Sequence, residues 1–124
     1  MAISKNILLV EDEEILYDIY IKMLTERGYN VILANNGKKG YKILRKEKPD
    51  LVLLDILLPV MDGFMFLKKI KKDASIKNIP VIILSNLGQD SDIAKGLELG
   101  AVDYCIKNST SIDELLEKIK KYLA

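Results

Sequence analysis

Leu51-Val52-Leu53-Leu54 is an unbroken apolar run that ends abruptly in a carboxylate, Asp55. A strand with one wet face alternates apolar and polar residues. A continuous run therefore fits a strand covered on both faces, as at the centre of a parallel sheet. The residues that follow, Ile56-Leu57-Leu58-Pro59-Val60-Met61-Asp62-Gly63, cannot extend it, because Pro59 lacks an amide donor and Asp62-Gly63 reads as a turn and helix cap. Asp55 thus opens a loop at the carboxyl edge of the sheet, the crevice where open α/β sheets bind ligands. A single aspartate there is most simply a solvated strand end, so its companions decide what it does.

Ile7-Leu8-Leu9-Val10 is a second buried strand, and it too runs into acid, at Glu11-Asp12-Glu13-Glu14. Ile15, Ile19, Tyr20, Met23 and Leu24 then recur at helical spacing up to Arg27-Gly28, where glycine suits the left-handed position that ends a helix. Residues 29–34 read as a short strand and Asn35-Asn36-Gly37 as a turn with a candidate N-cap. Tyr41, Ile43 and Leu44 mark a second helix that stops before Lys48-Pro49, and Gly40 within it points to close packing on a neighbour. Beyond the Asp55 loop, Asp62 caps a helix with Phe64, Leu67 and Ile70 on one face and lysines on the other. Val81-Ile82-Ile83-Leu84 is a third buried strand; it ends in Ser85 and leads into Asn86-Leu87-Gly88-Gln89. A helix over 90–99 contains Gly96, which together with Gly88 should loosen this region, and Gly100 stops it. The last strand, 102–106, ends at Lys107. Ser111 and Glu114 have capping-box spacing for a final helix, whose expected buried stripe is Ile112, Leu115, Leu116, Ile119 and Leu123.

Five strand patterns alternating with five helical ones, joined by right-handed crossovers, require a parallel sheet with helices on both faces. The expected fold is doubly wound α/β of the flavodoxin-like kind, strand order 2-1-3-4-5, with both acidic strand ends flanking the switch point between the first and third strands. The 124 residues fit a single domain, 1–124. A net charge of +1 gives no electrostatic reason to expect nucleic acid or an anionic membrane as partner. The absence of histidine excludes imidazole acid-base catalysis, and the lone Cys105 excludes an internal disulfide or a thiolate-only zinc site. No apolar run approaches the roughly 20 residues of a membrane span, and the first residues lack a signal peptide's apolar core. A cytoplasmic protein is the expectation.

On this topology Glu11, Asp12, Asp55, Ser85 and Lys107 all leave the same sheet edge. Carboxylates about 4 Å apart repel by roughly 4 kcal/mol at an effective dielectric of about 20, so such a group binds either a proton or a cation. All-oxygen ligands favour Mg²⁺ or Ca²⁺, and carboxylates with room for water suit magnesium and a phosphoryl group. With a lysine and a hydroxyl opposite, Asp55 can act as a nucleophile toward phosphorus.

Val10-Glu11-Asp12, the stretch Leu54 to Gly63 with its D-x-x-L-P-x-M-D-G pattern, Ser85, Gly100-Ala101 and Tyr104 to Lys107 together resemble a response-regulator receiver domain. The resemblance covers the whole chain. It implies that Asp55 accepts a phosphoryl group from a phosphohistidine on a sensor histidine kinase or a histidine phosphotransfer protein, as a signalling domain rather than an enzyme. It implies that Asp12 and Asp55 bind Mg²⁺ directly, Glu11 through water and Leu57 through its main-chain carbonyl. Lys107 would pair with the phosphoryl group, Ser85 would hydrogen-bond to it, and Tyr104 would be the aromatic switch. The implied output surface is the fourth helix, fifth strand and fifth helix, meeting a downstream protein or, after phosphorylation, a second copy of this chain.

Departures from the family pattern carry expectations of their own. Asn108 stands where proline is usual, and a cis bond before a non-proline residue costs about 2.5–4 kcal/mol, so a trans bond or a strained cis one is expected there. Asn86 stands where a small residue is usual and would crowd or hydrogen-bond the phosphoryl group. Leu57 and Leu87 would shield it from attacking water. Three rival readings remain: a degenerate receiver that serves only as a binding module, an aspartyl-nucleophile phosphatase, and a flavodoxin-like electron carrier. The phosphatase pattern wants an acid at the position of Leu57, and the electron carrier wants a Ser/Thr/Gly-rich loop at that of Glu11-Asp12.

Overall fold

The computed structural model describes residues 4–123. In order, the elements are β1 (Asn6–Val10), α1 (Glu14–Glu26), β2 (Asn30–Ala34), α2 (Gly37–Glu47), β3 (Leu51–Leu54), α3 (Gly63–Lys71), β4 (Val81–Ser85), α4 (Asp90–Glu98), β5 (Asp103–Ile106) and α5 (Ile112–Leu123), with a short 3₁₀ turn, Lys107–Ser109, before α5. The strands form one parallel sheet in the order β2-β1-β3-β4-β5. This is the doubly wound architecture expected from the alternation.

The apolar runs explain themselves once both sheet faces are considered. Every residue of β3 and β4 is buried, as are Ile7 to Val10 of β1. Alternate side chains go to opposite layers. Leu8, Val10, Val52, Leu54, Val81 and Ile83 meet Leu44 of α2 and Phe66, Leu67 and Ile70 of α3. Ile7, Leu9, Leu51, Leu53, Ile82 and Leu84 meet Met23 and Leu24 of α1 and Leu115, Leu116 and Ile119 of α5. Gly40 is the anticipated close contact: an added Cβ would lie 3.2 Å from the Phe66 ring and 3.3 Å from Val10. Ile112 departs from expectation. It begins α5 and is 47% exposed in a first turn whose residues, Ser111 to Glu114, are all exposed, and the buried stripe starts at Leu115.

Local signals set the helix ends. Asn36 accepts the Lys39 N–H (2.9 Å), Asp62 accepts the Met65 N–H (3.0 Å), and Ser111 and Glu114 exchange capping-box bonds. Gly28 and Gly100 take positive φ, +89° and +110°, as helix stops.

A tether that sequence spacing did not reveal joins α2 to the turn after α3. Asp73 accepts bonds from the Ser75 hydroxyl (2.6 Å), the Ser75 N–H (3.0 Å) and the Tyr41 hydroxyl (2.8 Å), with the Arg45 guanidinium 3.3 Å away. The Ser75 and Tyr41 bonds hold its carboxyl down at about 2. A depressed carboxyl contributes stability above its unfolded value of 3.8 and loses it as pH falls through about 2. Asp73→Asn should therefore melt below the wild type at pH 6, and thermal scans at descending pH should show the gap closing near pH 2.

Candidate functional site

Pairing of β1 with β3 places Val10 beside Leu54, so Glu11 and Asp55 emerge side by side, with the Asp55 N–H on the Val10 carbonyl (3.0 Å). Pairing of β4 with β5 places Ser85 beside Ile106, so Lys107 leaves the sheet one residue later. Its ammonium reaches back over the edge and donates to Glu11 Oε1 (2.5 Å) and Asp55 Oδ2 (2.8 Å). The three side chains are sealed, at 6% exposure for Lys107, 2% for Glu11 and 3% for Asp55. Glu11 Oε2 accepts the N–H groups of Asp12 (3.0 Å) and Glu13 (3.2 Å), while Asp55 Oδ1 accepts that of Leu57 (3.1 Å). Asp12 stands exposed at the rim, and carboxylate oxygens of Glu11, Asp12 and Asp55 lie within 4.8 Å of one another.

The charges do not balance: three carboxylates face one ammonium. Burial raises the Glu11 carboxyl above its ordinary value and the nearby Asp55 charge adds to that, while the bond from Lys107 opposes both. For Lys107 burial alone would lower the pKa, but the bonds to Asp55 and Glu11 outweigh it and hold it raised. Excess negative charge, hard oxygen donors and one open edge at Asp12 fit a small divalent cation with retained waters.

Ser85 is buried at the end of β4, and its hydroxyl accepts the Leu87 N–H (3.3 Å). Tyr104 lies half-buried on β5, its hydroxyl donating to the Leu87 carbonyl and burial pushing its pKa up to about 12. Glycines 88 and 96 prove to be packing positions rather than loose ones. An added Cβ would fall 2.7 Å from Ile106 at Gly88, and 2.5 Å from Ile83 and 3.0 Å from the Tyr104 ring at Gly96. The Asn86 Oδ1 accepts the Asn108 N–H (3.0 Å). Every peptide bond among the described residues is trans, that before Asn108 included.

The loop between β3 and α3 is closed by the Gly63 N–H on the Ile56 carbonyl (2.9 Å). Within it Val60 adopts φ +67° and is 96% exposed. The Met61 N–H donates to the Pro59 carbonyl (2.7 Å) around Val60, an i→i+2 bond about a residue at positive φ, which is the arrangement of a γ-turn of the rare, strained kind. A β-branched residue there is strained by about 1–3 kcal/mol. Val60→Gly should therefore raise the unfolding free energy by about 1 kcal/mol, after allowance for glycine's freer unfolded chain. Urea titration measures it, and an unchanged midpoint would contradict the strain.

Comparison with known proteins decides the family. The response regulator receiver domain model matches residues 7–120. The chain belongs to that family.

Among the receiver domain's relatives, Probable transcriptional regulator ycf27 of Porphyra purpurea is 40% identical over 120 residues, covering 97% of this chain and 48% of the relative. Protein PilH of Pseudomonas aeruginosa is 39% identical over 121 residues, covering 96% and 98%. The chain thus spans about half the length of the first regulator and nearly all of the second. The receiver domain of sensor histidine kinase PA1611 from P. aeruginosa, solved with a magnesium ion coordinated in its active site cleft, superposes with a TM-score of 0.89 at 27% identity and covers 98% of each chain. This chain is accordingly a receiver domain of two-component signalling, and its acidic cluster occupies the switch-point edge of the receiver fold. None of the described helices is long and apolar enough to cross a membrane.

Proposed function

We propose that residues 1–124 work as a single cytoplasmic phosphoacceptor domain in which Asp55 takes a phosphoryl group from a phosphohistidine. The observation that carries this is the sealed Lys107 ammonium bridging Glu11 and Asp55 beside the exposed Asp12, an arrangement with one cation too few. Asp12, Asp55, the Leu57 carbonyl and, through water, Glu11 would hold Mg²⁺. When bound, that ion supplies positive charge toward the phosphoryl oxygens. An Asp55 carboxylate oxygen bonds to phosphorus as the bond from phosphorus to the donor's imidazole nitrogen breaks, and the imidazole leaves with the bonding pair. A carboxylate nucleophile has no proton to give up on attack, so the step needs no general base, which suits a chain without histidine. Lys107 then turns its charge to the new phosphoryl oxygens, and Ser85 donates its hydroxyl to them in place of accepting from Leu87.

The partners of this reading are a sensor histidine kinase or histidine phosphotransfer protein on the input side. On the output side stands a downstream protein, or a second copy of this chain, at α4, β5 and α5. Because Tyr104 already holds the Leu87 carbonyl, movement of the Ser85–Leu87 segment is passed directly to that surface. A complete set of Glu11, Asp12, Asp55, Ser85 and Lys107 disfavours a degenerate binding module, and Leu57 in place of a second acid disfavours a phosphatase. Acetyl phosphate with Mg²⁺ should add one phosphoryl group by intact mass and none to Asp55→Asn. Equal labelling of that variant would remove Asp55 from the role.

A further inference from the structure

The turn Lys107–Ser109 has Ile106 at its N-cap position, and an isoleucine side chain has no oxygen to offer the turn's free N–H groups. The missing acceptor comes from the residue just beyond the neighbouring strand β4: Asn86 Oδ1 takes the Asn108 N–H at 3.0 Å. Asn86 directly follows Ser85, and Asn108 directly follows Lys107. One side chain thus joins the backbone segment that carries the hydroxyl to the segment that carries the ammonium, just beyond the last β4–β5 pair, Ser85 with Ile106. A proline at 108 could not make this bond, having no N–H. A small apolar residue at 86 could not accept it.

We infer that Asn86 is a positioning residue for phosphoryl transfer, capping the Lys107 turn from just beyond the adjacent strand so that Ser85 and Lys107 approach the group on Asp55 as one unit. The inference rests on the phosphoacceptor reading above, and it adds how this chain aims its lysine across a trans peptide bond. The Lys107 ammonium is held by the two carboxylates it must partly release when the phosphoryl group arrives. A latch on its backbone keeps it in place through that exchange. Because the latch is exposed while the ammonium is sealed, its removal should disturb orientation more than folding.

The test compares Asn86→Ala with Asn86→Asp, which keeps an acceptor oxygen, in the full chain. Hydrogen exchange at the Asn108 amide should accelerate in Asn86→Ala by about two- to tenfold, the span of a net hydrogen bond, and stay near wild type in Asn86→Asp. The rate of phosphoryl uptake from acetyl phosphate should fall by a similar factor in Asn86→Ala and recover in Asn86→Asp, with Mg²⁺ affinity no weaker in either. An Asn108 amide indifferent to Asn86→Ala, or an uptake rate equal to wild type, overturns the inference. If the wild type takes up no phosphoryl group, the phosphoacceptor reading itself has failed. The Lys107 Nζ resonance in ¹⁵N NMR then decides the inference alone: displacement in Asn86→Ala supports it, and an unmoved signal overturns it.

Discussion

Lys107→Ala should lower the unfolding free energy by about 3 kcal/mol at neutral pH, because it leaves Glu11 and Asp55 buried side by side without their shared cation. The loss should depend on pH with a definite sign. Glu11 already titrates above its ordinary 4.5, and removing Lys107 removes a cause that lowers it. A carboxyl raised in the folded state favours the protonated protein, so the variant should weaken as pH rises from about 4.5 and recover below it. For the wild type the lysine acts in the opposite range. Its raised pKa contributes stability below 10.5 that disappears as pH climbs through the folded value, so the two proteins should converge again in strong alkali. Mg²⁺ should narrow the neutral-pH gap by supplying the missing charge. Asp55→Asn should move stability the other way, by about 1 kcal/mol upward, since it turns two carboxylates on one ammonium into a single pair. Urea titrations of the three proteins across pH, with and without Mg²⁺, are the measurement. A neutral-pH loss in Lys107→Ala no larger than an exposed lysine's would mean that the pocket is open to water.

Gly63→Ala is the second severe change. A Cβ at 63 would stand 2.5 Å from the Asp55 carbonyl oxygen and 2.7 Å from the Ile56 Cα, both backbone atoms that cannot rotate aside. Relief requires the start of α3 and the end of β3 to part, at a cost of about 3 kcal/mol, the upper range for overpacking. The movement starts at the residue that carries the nucleophile. Displacing it by about 1 Å should slow phosphoryl uptake on the order of 10²-fold even in molecules that stay folded. Denaturant midpoints and intact-mass time courses report the two effects separately. A stable Gly63→Ala that labels at the wild-type rate would show that the β3–α3 junction has slack, contrary to these distances.

The contrast between Gly63 and Gly96 shows how far a sequence can be read. Asp62-Gly63 is legible as a helix cap from its own chemistry, and Asp62 does cap α3. That Gly63 must also have no side chain depends on the loop between β3 and α3 folding back to set the Asp55 carbonyl and the Ile56 Cα against it, which a helix-cap signal does not record. Gly96 reads as a weak spot in α4, yet it is the seat of the Tyr104 ring and of Ile83, a fact of strand order rather than of helix propensity. The positive φ of Val60 left no mark in the sequence, because local preference argues against a β-branched residue in the γ-turn that the Met61 N–H closes on the Pro59 carbonyl.

The apolar runs at 7–10, 51–54 and 81–84 determined by themselves that there would be a doubly covered parallel sheet, because only burial on both faces tolerates four apolar residues in succession. The residues that end those runs, with the lysine that ends the last strand, likewise determined which side chains could share an edge: Glu11, Asp12, Asp55, Ser85 and Lys107. What tertiary structure decided is how those groups are engaged. Lys107 bonds to two carboxylates instead of waiting for a ligand, and Asn86 accepts from the Asn108 amide. The physical reason is that periodicity and capping are short-range and repeat along the chain. A hydrogen bond such as that between Asn86 and Asn108 joins residues brought within 3.0 Å only by the pairing of β4 with β5, and it competes with every other partner that the folded edge presents.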